Sequence, residues 1–233
     1  KEPIAGITPM KEMLKLFDQP KVQRPWRLQA QDLSRDKEKW ERLASGDAKI
    51  DAASPDDELR PISTPLVMSG FHPGIRSHFS PWLRSEGFEP VASGHAPKKI
   101  EKGPPALLKP GSAIAAVLVQ GDVNIAATGT VTSVEDGKVL AFGHPFMGTG
   151  ILSVPMAKAR ILNTMVSQRR SFKMSQTGEV IGEITQDRLT AIGGRIGPAP
   201  AMIPVTGSLQ TPTGTSSFRF EVARDHSLSP RLV

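Results

Sequence analysis

The chain has 233 residues, enough for one large domain or a domain with a smaller appendage. A hydrophobic fraction of 38% with 21 glycines supports a buried core, and the 21 prolines beside them argue against an all-helical bundle. The net charge of +6 brings nucleic acid or an anionic surface into consideration as partners.

Residues 1–58 read as a polar, helix-leaning N-terminal segment and linker. Thr8 and Pro9 suit a helix start, and Met10, Met13, Leu14 and Phe17 follow at i, i+3, i+4 and i+7. A second, more charged helical segment is expected from Asp32 to Ala44, then a linker running to Pro61 through Asp56, Asp57 and Glu58. Residues 59–109 read as a small α/β transitional segment. Pro65–Ser69 suggests a short strand, and Pro73–Ser85 a helix that Pro81 would kink or split and Gly87 would end.

From 110 to 233 the pattern changes to short strands punctuated by glycine and proline. Ala113–Gln120 and Asn124–Val134 flank Gly121-Asp122, and Asp136-Gly137 signals a hairpin into Lys138–Phe142. One inserted helix is expected after Pro155, with Met156, Ile161, Leu162 and Met165 on its apolar face. Strand runs resume at Ser171–Ser175, Glu179–Gln186, Leu189–Ile196, Met202–Leu209 and Phe218–Ala223. The fold class is therefore mainly β, a small barrel or sandwich with one inserted helix behind a helical N-terminal region.

Several functions are disfavoured. Nine Phe, three Trp and no Tyr leave few stacking platforms for single strands, and the basic residues are scattered apart from knots at Lys98, Lys99 and Lys102 and at Arg169, Arg170 and Lys173. Those knots read as solvated surface, so no nucleic acid is expected as partner. The longest apolar run, Ala113 to Val119, is too short for a transmembrane helix, and none is expected in this chain. Having no cysteine, the chain has no disulfide, thiolate nucleophile or cysteine zinc site. P-loop, dinucleotide and HExxH patterns are missing, and His72 and His78 are poorly spaced for one metal ion, so neither cofactor nor metal is expected. Ser34 and Lys37 match SxxK by chance, inside a charged helical stretch. A start at Lys1 without a signal peptide reads as a processed product or a piece of a longer polypeptide.

One segment invites chemistry: Ala141-Phe142-Gly143-His144-Pro145-Phe146. It follows a strand, Gly143 permits a tight turn, and Pro145 restricts His144 to an extended conformation that aims the imidazole. A neutral imidazole is a natural general base near pH 7, while a turn histidine bonded to backbone is the plainer alternative. Asp187, between two strand runs in Gln186-Asp187-Arg188, is a candidate acid; its alternative is a turn aspartate paired to Arg188 or Arg195.

Ala127-Thr128-Gly129-Thr130-Val131-Thr132 and Val139–Phe146 resemble the SpoIVB-type serine peptidase family. So do Ser171-Phe172-Lys173, Gly178–Gly182, Thr185–Arg188 and Gly194–Gly197, within a stretch of about 110–222. The likeness is nearest to a branch of bacterial envelope proteins, in which segments like Ile7–Met10 and Pro65–Phe71 also recur. The resemblance implies a chymotrypsin-like fold that cleaves protein or peptide substrates, with His144 as general base. It also implies an extracytoplasmic place in the bacterial envelope or periplasm. The family's serine lies in a GMSGSP-like segment, preceded by the triad aspartate, and this chain has neither; Ser69 and Ser112 are superficial echoes. The expectation is that a segment upstream of Lys1 carries the nucleophile and that this chain alone is inactive. The alternative is a non-catalytic envelope or scaffold module that binds protein partners.

Overall fold

The computed structural model describes residues 8–18, 63–94, 107–166, 171–225 and 229–232. The expected helix at Asp32–Ala44, the linker that follows it to Pro61 and the knots at Lys98–Lys102 and Arg169-Arg170 lie outside them. The protein is mainly β. The elements are α1 (Met10–Leu14) with a 3-10 turn (Lys15–Asp18), β1 (Thr64–Ser69), α2 (Pro73–Ser85), β2 (Phe88–Ala92), β3 (Ala113–Gly121), β4 (Asn124–Glu135), β5 (Lys138–Ala141), β6 (Gly150–Met165), β7 (Phe172–Asp187), β8 (Ile192–Ile196), β9 (Met202–Thr211), β10 (Gly214–Ala223) and α3 (Ser229–Leu232).

The strands form one sheet in the order β2-β1-β4-β5-β8-β7-β6-β3-β10-β9, and β3 also pairs with β4. The antiparallel ladders of β4, β5, β8, β7, β6 and β3 thus return to their starting strand. β1, α2 and β2 form a parallel βαβ unit, and β1 joins it to the rest by pairing antiparallel with β4, from Leu66↔Ala127 to Ser69↔Asn124. That ladder crosses the boundary expected at 109. Leu66, Met68, Leu83 and Phe88 share one core with Ile114, Val139, Phe146, Val154 and Ile184.

The apolar run in β3 is buried on both faces, which explains why it does not alternate. Ile114, Ala116 and Leu118 enter the main core, while Ala115 and Val117 pack with Ala126 and Ala157, close to Ala159 and Val180. Side chains of β7 reach β4 on this second side, Thr128 Oγ1 to Ser175 Oγ at 2.5 Å and Thr177 Oγ1 to Asn124 Oδ1 at 3.1 Å.

The helix expected after Pro155 is instead the middle of β6. Its ladder with β7 runs from Gly150↔Asp187 to Met165↔Phe172, and the apolar residues read as a helical face lie along this long, twisted strand. Pro155 stands opposite Glu183 in the β7 ladder, and on its other side the β3 ladder stops at Ala116↔Met156. The two runs expected at Ser171–Ser175 and Glu179–Gln186 are one strand, and the run from Leu189 starts only at Ile192. Pro81 lies inside an unbroken α2. At the N-terminus, Met13 and Leu16 are buried against Leu140 and Ala191, whereas Met10 and Leu14 are exposed. Of the expected stripe, Met13 is buried and Phe17 packs against the same cluster; the 3-10 turn after Leu14 tightens the period to three and brings Leu16 in place of Met10 and Leu14.

Candidate functional site

β5 ends at Ala141, and the chain then crosses to β6 through the loop Phe142–Thr149. Phe142 and Gly143 both adopt left-handed backbone, φ 72° and 74°. For a phenylalanine this is a strained conformation, of the kind that persists only where its surroundings enforce it. Here they do: the Phe142 N–H donates to Thr130 O at 3.0 Å, and the ring occupies the space a side chain on Gly129 would need. Phe146, at the far side of the turn, is buried with its ring 5.5 Å from that of Phe88 and 6.2 Å from that of Phe142.

His144 stands exposed between these two anchors. Its Nδ1 lies 2.7 Å from Pro145 O. A carbonyl only accepts, so Nδ1 carries the proton; in the neutral ring Nε2 is then the basic nitrogen, and among the described residues it has no hydrogen-bond partner. The side chain is thus held in the tautomer a general base needs, by a backbone carbonyl and not by a carboxylate.

Asp187 is the last residue of β7 and is 1% exposed. Oδ1 accepts the N–H of Phe146 at 2.8 Å, and Oδ2 accepts those of Met147 at 2.5 Å and Gly148 at 2.6 Å. Burial pushes this carboxyl above the ordinary aspartate range, against the N–H groups of Phe146, Met147, Gly148 and Thr149, which pull it down. The structure therefore brings Asp187 to the loop of His144, but no hydrogen bond joins their side chains. Arg188 Nε donates to Gln186 Oε1 at 3.2 Å, and no ion pair joins Asp187 to Arg188 or Arg195.

The N-terminal segment also meets this loop: Thr8 Oγ1 donates to Gly143 O at 2.9 Å. No sequence signal connected residue 8 with residue 143. The other candidates have structural roles. The His72 Nδ1 accepts Gly74 N–H at the start of α2, Ser112 Oγ accepts Lys109 N–H, and Ser69 is buried at the end of β1. Ser34 and Lys37 lie outside the described residues. Among the described residues no cluster of three metal-ligating side chains exists, and no helix is long and apolar enough to cross a membrane. No family model, curated protein or solved structure matches the chain.

Proposed function

We propose that this chain is the histidine-bearing part of a SpoIVB-type serine peptidase domain, with His144 as general base and the serine and its aspartate supplied by a segment upstream of Lys1. The circuit of six antiparallel ladders is read as a small barrel of the chymotrypsin-like kind. In the acylation step, Nε2 of His144 would take the serine hydroxyl proton as the oxygen attacks the scissile carbonyl, then return it to the leaving amine. The observation that carries this reading is the hydrogen bond from Thr8 to Gly143. It sets Thr8 against the residue before His144, so the N-terminal segment and the candidate base meet at one loop.

A second reading is favoured by one observation: the His144 ring is oriented by Pro145 O and the nearby carboxyl is occupied by backbone. A module that keeps the fold without catalysis, and binds protein partners in the envelope, would have that arrangement.

Labelling with a fluorophosphonate probe separates the two. The 233 residues alone are expected not to label. The full-length protein is expected to label at an upstream serine, and His144→Ala to lower the rate by orders of magnitude, as loss of a triad base does. Full-length protein that never labels would favour the binding module, and undiminished labelling of His144→Ala would remove His144 from the mechanism. On the peptidase reading the full-length protein resides in the bacterial envelope or periplasm; recovery solely from cytosol on fractionation would contradict that placement.

A further inference from the structure

The Asp187 carboxyl is buried at the end of a central strand, and its backbone is fixed on both sides, opposite Gly150 in β6 and Ile192 in β8. From that fixed point it meets three consecutive N–H groups of a loop that no ladder holds. The loop is costly to keep at Phe142, a non-glycine residue at φ 72°, while Gly143, Gly148 and Gly150 take the other left-handed positions without that cost. Phe146 and Met147 could not turn their N–H groups inward without an acceptor, because a buried unpaired donor is expensive.

We propose that Asp187 is the positioning residue of the His144 loop: by gathering the N–H groups of Phe146, Met147 and Gly148 it fixes the turn that holds the imidazole with Nε2 unengaged. Aspartate is the side chain the site requires. One oxygen takes one N–H and the other takes two, so an asparagine amide, whichever way it is turned, sets its own NH2 against at least one donor. Glutamate would push a longer side chain into a filled space. Asp187 touches neither the reacting atoms nor the imidazole, and it acts only through the backbone that follows His144. The assignment deepens the peptidase reading, since there His144 is the base, but the loop's order can be measured without any activity.

The test is amide exchange and imidazole nitrogen NMR on the 233-residue chain and on Asp187→Asn. Exchange of the Met147 and Gly148 amides is expected to rise about ten- to a hundredfold, the loss of well-made bonds to buried donors. Amides of β3, such as Ala115 and Val117, should keep their protection. The His144 nitrogen shifts should pass from a single Nδ1–H tautomer to a tautomer mixture, which loss of stability elsewhere would not produce. If the variant does not fold, the wild type still decides. The amide shifts of Met147 and Gly148 should then follow the titration of the Asp187 carboxyl carbon. A folded variant with unchanged loop exchange and an unchanged tautomer would overturn the proposal, as would wild-type amides indifferent to that titration. Absence of probe labelling in the full-length protein would overturn the peptidase reading and leave these signals as they are.

Discussion

The two ends of β5 make the same local demand and meet it differently. The strand is entered through Asp136 and Gly137, φ 48° and 73°, and left through Phe142 and Gly143, φ 72° and 74°. At the entrance both residues suit a two-residue hairpin turn, and the flanking strands are joined directly by Glu135↔Lys138. At the exit one of the two residues is a phenylalanine, which avoids that backbone unless held there. It is held by Thr130 O, by the bare backbone of Gly129, by the buried ring of Phe146 and, further on, by Asp187. A turn made from its own residues can be cheap and inert. A turn kept strained by partners from β4, β7 and the N-terminal segment presents its side chain in one orientation, and His144 is that side chain.

The strongest way to break this contrast is to remove the anchor in the core. Phe146→Ala is expected to cost about 3–5 kcal/mol in chemical denaturation, the usual range for truncating a buried phenylalanine. The loop should lose amide protection along its length, while the Asp136-Gly137 turn keeps its own.

The contrast is sharpened by Gly137→Ala and Gly143→Ala. Both glycines are left-handed, and a Cβ on either would meet nothing within 4 Å, so each should cost about 1–2 kcal/mol for backbone alone. Equal stability losses are expected, with the His144 imidazole signals disturbed only by Gly143→Ala. Disturbance by both, or by neither, would erase the distinction between the two turns.

A smaller effect should follow from Thr8→Val, which removes the hydroxyl that reaches Gly143. One partly buried hydrogen bond amounts to about 0.5–1.5 kcal/mol. Differential denaturation should read that loss, and exchange at Gly143 and His144 should rise with no change at the hairpin.

pH distinguishes the ends more gently. Because burial raises the Asp187 carboxyl, the folded state retains a proton that the unfolded chain has released. The stability this contributes is present below the ordinary aspartate range and is lost as pH rises through the raised value. Asp187→Asn should flatten that part of the stability profile; an unchanged slope would show that another group produces it.

Much of the architecture was legible from local chemistry. Asp136-Gly137 and the Pro73 helix start each specify a turn or a helix start within a few residues, and the strand runs of β3, β4, β9 and β10 lie within a few residues of expectation, though β10 starts four residues early. His144 was legible as well, through the proline behind it and the glycine before it. Gly150–Met165 was not, because its apolar residues fit a helical face as readily as a long strand. Only the ladders to β7 and β3 chose between them. Met13 and Phe17 were legible in the first helix but Leu16 was not, since the tightening after Leu14 that brings it onto Leu140 and Ala191 depends on docking.

The sequence by itself determined that this is a strand-rich chain with a histidine displayed at a strand end. Tertiary structure alone decided what surrounds that histidine. Thr8 and Asp187 bear on the loop from 135 and about 40 residues away, and no short-range pattern encodes such contacts. The physical reason is that the loop's N–H groups must find acceptors once water is excluded. Which acceptor they find depends on the strand the ladders bring beneath them.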